Sequence, residues 1–179
     1  DLPFAENLEK TKEIVALAHA KGISVEAEVG SIGGEEDGII GAGELADVEE
    51  AKQLAAAGPD YLAVGIGNIH GVYPENWQGL SFDRLQELAD VIDLPLVLHG
   101  GSGIPKEQIL KAISMGISKV NVNTEQQIAW SNAVKEYYAE GKDQAEKGFD
   151  PRKVLAPGTK AIKDTVESRI DWFGTPAVK

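Results

Sequence analysis

Tyr61-Leu62-Ala63-Val64-Gly65-Ile66-Gly67-Asn68-Ile69-His70-Gly71 is an apolar run that closes on a histidine and a glycine. Leu94-Pro95-Leu96-Val97-Leu98-His99-Gly100-Gly101-Ser102-Gly103 repeats the pattern further along the chain. A short run of aliphatic and β-branched residues reads as a buried strand. An imidazole at the exit of such a strand stands on a rigid base, and the glycine turn behind it leaves its rim open. Each histidine alone could cap its strand through a backbone hydrogen bond. Two in matched positions point instead to a metal or catalytic centre at the C-terminal edge of a parallel sheet.

The sequence around these runs alternates strand and helix. Helices are predicted over residues 4–21, 47–57, 81–91, 105–115, 124–140 and 150–170, from apolar positions at helical spacing and from stop and start signals such as Gly22 and Asp150-Pro151. Strands are predicted over 23–29, 61–66, 94–98 and 117–122, and a polar, glycine-rich loop over 30–43. Such alternation specifies a parallel sheet with right-handed crossovers, hence an α/β fold. The chemically interesting residues all fall at the C-terminal ends of the strands: Glu28, then Asn68 to His70, then His99, then Asn121 to Thr124. A (β/α)8 barrel gathers its active site in this way. A doubly wound sheet would instead use a switch point. Four units make half a barrel, with two open sheet edges. The expected architecture is therefore the C-terminal half of a (β/α)8 TIM barrel, with residues 1–179 as one partial domain lacking the N-terminal units.

Composition narrows the function classes. The 179 residues are 42% hydrophobic and 26% charged, which suits a globular chain with a real core. The net charge of -12 disfavours nucleic acid and anionic membrane surfaces as partners. A phosphorylated small molecule stays open, because local backbone N–H groups can hold phosphate. No apolar stretch is long enough for a membrane span. Without cysteine there are neither disulfides nor thiolate metal sites. With no signal-peptide pattern at the start, the expected location is the cytoplasm.

Three further groups carry chemistry. Glu28 ends a strand, and the loop Gly30-Ser31-Ile32-Gly33-Gly34-Glu35-Glu36-Asp37-Gly38 leaves it. A run of acids is normally a solvated turn, but a carboxylate between glycines can move protons once a lid closes. Gly100-Gly101-Ser102-Gly103 and Asn121-Val122-Asn123-Thr124 follow the last two strands, where TIM barrels often hold phosphate through bare amides and hydroxyls. Arg152 opens the last helix; locally it is a surface residue, with a forked phosphate contact as the alternative. His19 lies within the first helix and is expected at the surface. A catalytic zinc needs three protein ligands, so His70 and His99 require either a carboxylate or a histidine from elsewhere.

Taken in order, Val25-Glu26-Ala27-Glu28-Val29-Gly30, Gly33-Gly34-Glu35-Glu36-Asp37-Gly38, Gly67-Asn68-Ile69-His70-Gly71-Val72-Tyr73, Leu98-His99-Gly100-Gly101-Ser102-Gly103, Asn121-Val122-Asn123-Thr124 and Asp150-Pro151-Arg152 resemble the class II, zinc-dependent fructose-bisphosphate aldolases. The combination is specific, although no piece of it is. The resemblance implies cleavage of fructose 1,6-bisphosphate to dihydroxyacetone phosphate and glyceraldehyde 3-phosphate. It implies zinc held by His70 and His99, with Glu28 near the metal and, in some members, on a second metal position. Glu36 would move the C3 proton. Gly71, Gly100, Gly101, Ser102, Asn123 and Thr124 would surround a phosphate, with a monovalent cation nearby and Asn121 at the reacting carbons. Arg152 would hold the other phosphate, from a neighbouring subunit, and the protein would be a homo-oligomer, a dimer or larger. Zinc stabilises the enediolate charge, the task that a lysine Schiff base performs in the other aldolase class. No lysine sits at a strand end with apolar neighbours except Lys119, which lies before the site.

The family's third zinc histidine and its catalytic aspartate lie in an Asp-His-Gly motif that these 179 residues do not contain. The expectation is that the parent protein is an aldolase and that this stretch alone is inactive or is completed elsewhere. Two other readings stand beside it. One is a tagatose-bisphosphate aldolase, which differs in the sugar stereochemistry at C4. The other is a non-catalytic fragment used for binding or assembly. Another metal-dependent barrel enzyme, an epimerase or hydrolase, fits the phosphate motifs less well.

Overall fold

The computed structural model describes residues 2–36, 39–41 and 43–175, in two compact units divided after Asn121. The first unit begins with α1 (Phe4–His19), β1 (Glu26–Val29), β2 (Gly33–Glu36) and β3 (Ile39–Gly41). It continues through α2 (Val48–Ala56), β4 (Tyr61–Val64), β5 (Ile69–His70), α3 (Phe82–Ala89), β6 (Leu96–Leu98), α4 (Lys106–Ser114) and β7 (Ile117–Val120). The main sheet runs β1-β4-β6-β7, and every neighbouring pair is parallel. Each strand thus lies beside the next one predicted from sequence, as consecutive βα units of a (β/α)8 barrel do. The fold class is α/β, and these four strands are half the strand complement of such a barrel.

Burial follows the local period in β1 and in three helices of the first unit. In β1, Ala27 and Val29 are buried while Glu26 and Glu28 are half-buried, so one face is apolar and the other carries carboxylates. The helices bury pairs three residues apart: Ala51 and Leu54 in α2, Leu85 and Leu88 in α3, Ile109 and Ala112 in α4. Caps fix where two of them start. Asp47 accepts from the amides of Glu49 and Glu50, both at 2.9 Å, and Ser81 accepts from Arg84. The first helix ends at His19 rather than continuing to 21. Gly22 takes a φ of +68° and the Ile23 amide bonds back to the Ala18 carbonyl, which stops the helix. His19 is accordingly the last helical residue; its ring, partly exposed, lies 2.9 Å from Asp60.

The main sheet is curved. β1 and β7 are its outer strands, yet Lys119 Nζ lies 2.7 Å from Glu26 Oε2. Across a flat sheet, strands three places apart are roughly 14 Å apart and their side chains stand parallel. Inward curvature brings two such side chains together.

The predicted loop over 30–43 is corrected. It contains β2 and β3, which form an antiparallel pair, and β2 also pairs in parallel with β5, giving a second sheet β3-β2-β5. Gly33 stands opposite Ile69 and Gly34 opposite His70. A Cβ at Gly34, whose φ is +91°, would overlap the His70 carbonyl oxygen, so the glycines are what let this backbone approach. The first main strand is also shorter than predicted, starting at Glu26 rather than 23, and β4 ends at Val64.

The second unit holds α5 (Thr124–Ala139), a 3-10 turn at Lys142–Gln144 and α6 (Pro151–Phe173). Glu125, at the start of α5, forms a forked ion pair with Arg169, near the end of α6, so the helices form an antiparallel hairpin. Arg169 also stacks 3.7 Å above the Trp172 ring. Among the described residues, no helix is long and apolar enough to cross a membrane.

Candidate metal centre

His70 lies in β5 and His99 directly follows β6, with ring centroids 5.8 Å apart. Three devices lock the backbones that carry them. The amide of buried Asn68 accepts from the Ile66 N–H at 2.8 Å and donates to the His99 carbonyl at 3.1 Å. The Tyr73 hydroxyl accepts from the Ile69 N–H at 3.0 Å and donates to the Gly100 carbonyl at 2.8 Å. Gly100 sits at a φ of +63° against the Ile69 carbonyl. All three join the segment before His70 to the segment around His99, which fixes the spacing of the two imidazoles.

The carboxylates come from β1. Glu28 Oε2 stands 3.5 Å from His99 Nδ1, and Glu26 Oε1 stands 2.8 Å from His99 Nε2. The second oxygen of Glu26 takes the Lys119 ammonium. Burial pushes the Glu26 pKa up, but the bonds from Lys119 and His99 outweigh it and hold the carboxyl below its ordinary value. A cleft of ≈ 770 Å³ opens beside this cluster, lined by Glu26, Glu28, His70 and His99 together with apolar residues such as Ile14.

Among the described residues, no three His, Asp or Glu side chains stand together as a ready metal cluster. What converges is an imidazole pair with Glu28 beside one ring. Two imidazoles on one tetrahedral ion at about 2.1 Å bring their ring centroids to roughly 5 Å, close to the separation here. Two imidazole nitrogens are also donors that suit zinc. The residues therefore fit an ion that draws a further ligand from elsewhere.

Gly71 and Gly100 take positive φ values of 85° and 63°, and Ser102 is buried. The Gly101 N–H donates to the Asn121 carbonyl at 2.8 Å, and the Asn121 N–H to the Leu98 carbonyl at 2.9 Å. This ladder brings Gly101 and Asn121 together, and it gives the Gly101 amide a protein partner rather than leaving it bare. Asn123 and Thr124 begin α5 in the second unit, where Asn123 makes no side-chain cap. In the same unit Arg152 is an exposed side chain, forked onto its own helix cap, Asp150. The Glu36 backbone lies in β2; its side chain, with Asp37 and Gly38, falls outside the described residues.

Sequence reading placed Asn68 at a strand end without a role and gave Glu26, Lys119 and Tyr73 no part in this site. The Glu26-Ala27-Glu28 alternation signalled two inward carboxylates on one strand face. Nothing local marked Tyr73, whose two bonds depend on the fold. Tyr73→Phe leaves the Ile69 N–H and Gly100 carbonyl without this partner and is expected to cost about 1–3 kcal/mol in urea unfolding. It also removes a pH dependence. Burial raises the phenol to about 12, against a partial lowering by the Ile69 amide. An unfolded tyrosine ionises near 10. The stability contributed by Tyr73 is thus whole below roughly pH 10 and is lost as pH rises towards the folded value. The Phe variant should lack that segment of the stability–pH curve.

The family described as fructose-bisphosphate aldolase class-II matches residues 1–177. The chain is 61% identical to a fructose-bisphosphate aldolase of Streptococcus pyogenes and 53% identical to one of Mycoplasma pneumoniae, in each case over 97% of its length. It spans 61% of the length of these curated relatives. Among solved structures it is similar to the YdjI aldolase from Escherichia coli K12, with a TM-score of 0.78 and 34% identity, covering 97% of this chain and 57% of that one.

Proposed function

Because this chain belongs to the class-II fructose-bisphosphate aldolase family, we propose that the protein carrying it is a metal-dependent lyase. It cleaves fructose 1,6-bisphosphate to dihydroxyacetone phosphate and glyceraldehyde 3-phosphate and catalyses the reverse condensation. The observation that carries this reading is the His70–His99 pair, locked on two adjoining backbone segments with Glu28 alongside.

His70 and His99 would hold zinc, with Glu28 near it and a third histidine supplied from outside these 179 residues. Bound there, zinc would supply Lewis-acid stabilisation of the enediolate charge left when C3–C4 breaks. Glu36 would carry the C3 proton; the pairing of its strand, β2, with the backbone of His70 supports this reading. Gly71, Gly100, Gly101 and Ser102, with Asn123 and Thr124, would surround one phosphate near a monovalent cation. Asn121 would contact the reacting carbons, and Arg152 would leave Asp150 to take the second phosphate. We further propose that residues 1–179 belong to one barrel domain of a cytoplasmic homo-oligomer that acts in sugar-phosphate metabolism.

The test is a coupled assay of the full-length protein on fructose and tagatose bisphosphates, before and after chelation. The expected result is faster cleavage of the fructose substrate, lost on chelation and restored by zinc. Equal or faster cleavage of the tagatose substrate would favour that aldolase instead. Chelator-resistant cleavage would overturn the metal-dependent mechanism.

A further inference from the structure

Glu26 joins residues from three of the four main strands. It leaves β1, its Oε1 lies 2.8 Å from Nε2 of His99 after β6, and its Oε2 lies 2.7 Å from Nζ of Lys119 in β7. The other ring nitrogen, Nδ1, faces Glu28 Oε2 at 3.5 Å. Neither Glu26 nor Lys119 has a part in the chemistry proposed above. A carboxylate held at both oxygens is a fixed acceptor. A fixed acceptor on one imidazole nitrogen sets the tautomer and turns the ring, and metal-binding histidines are oriented in this way.

We propose that Lys119 and Glu26 are positioning residues for His99. Lys119 pins the Glu26 carboxylate; Glu26 accepts the Nε2–H of His99; the ring is thereby held with Nδ1 as its metal-binding nitrogen. The proposal rests on the reading of His99 as a metal ligand. It requires no contact of Glu26 or Lys119 with substrate. The pair joins the two outer strands of the main sheet, β1 and β7.

The test uses the full-length protein with zinc, and with cobalt as a spectroscopic probe. In the zinc-loaded parent, long-range nitrogen–proton NMR correlations should show His99 protonated at Nε2 and ligated at Nδ1. Glu26→Ala should weaken zinc binding about 10- to 100-fold and change the visible spectrum of the cobalt form. Glu26→Gln keeps an acceptor at the same place and should restore much of the affinity. Lys119→Met should fall between Glu26→Gln and Glu26→Ala. Ligation through Nε2, or parental zinc affinity and cobalt spectrum in Glu26→Ala, would overturn the proposal. His70→Ala and His99→Ala separate the two levels. If both of these lose zinc while Glu26→Ala does not, the positioning role fails alone. If neither loses zinc, the metal reading itself fails.

Discussion

His99→Ala is expected to lower kcat/KM for fructose 1,6-bisphosphate by roughly a thousandfold or more, and to abolish stoichiometric zinc. The size follows from what the ion supplies: several kcal/mol of stabilisation for developing negative charge, with each 1.36 kcal/mol worth about a factor of ten. The fold should survive the change. Asn68 holds His99 through its backbone carbonyl, not its ring, and Lys119 still partners Glu26 when the imidazole is gone. Steady-state kinetics with metal analysis and a thermal melt check all three points. Near-parental activity in a folded variant would remove His99 from the mechanism.

Gly100→Ala should be the more damaging change to the molecule as a whole. At a φ of +63° an alanine costs about 1–2 kcal/mol from backbone preference alone. Its Cβ would also overlap the Ile69 carbonyl oxygen, and that neighbour is backbone, which cannot swing aside. The expected total is about 3 kcal/mol or more of lost stability, in the range reserved for forced backbone strain. The shift would break the Tyr73 bridge to the Gly100 carbonyl and spread the two histidine segments apart. Activity should therefore fall even in whatever fraction remains folded. Urea unfolding and zinc titration measure the two losses separately.

Much of the main sheet was legible because its strands are apolar and its helices carry clear start and stop signals. The runs before His70 and His99 each mark a strand exit by chemistry as well as by hydropathy. The second sheet was not legible. Gly33-Gly34-Glu35-Glu36 is glycine and acid, the composition of a loop, and it becomes a strand only because β5 and β3 offer backbone partners on either side. Pairing partners outweigh intrinsic preference in strands this short. The site shows the same division. His70, His99 and Glu28 stand at strand ends and could be named from sequence. Lys119 is 93 residues from Glu26, and only the fold brings their charges together. Arg152, expected at the surface on local grounds and at a phosphate through the resemblance, has its guanidinium engaged by Asp150 two residues earlier, a partner visible in the sequence.

The most direct test of the central claim is a metal-edge anomalous diffraction map of the full-length protein crystallised with zinc. The account predicts one strong peak within about 2.1 Å of a ring nitrogen of both His70 and His99, with Nδ1 as the nitrogen of His99. A zinc peak elsewhere, or one that touches neither imidazole, would contradict it.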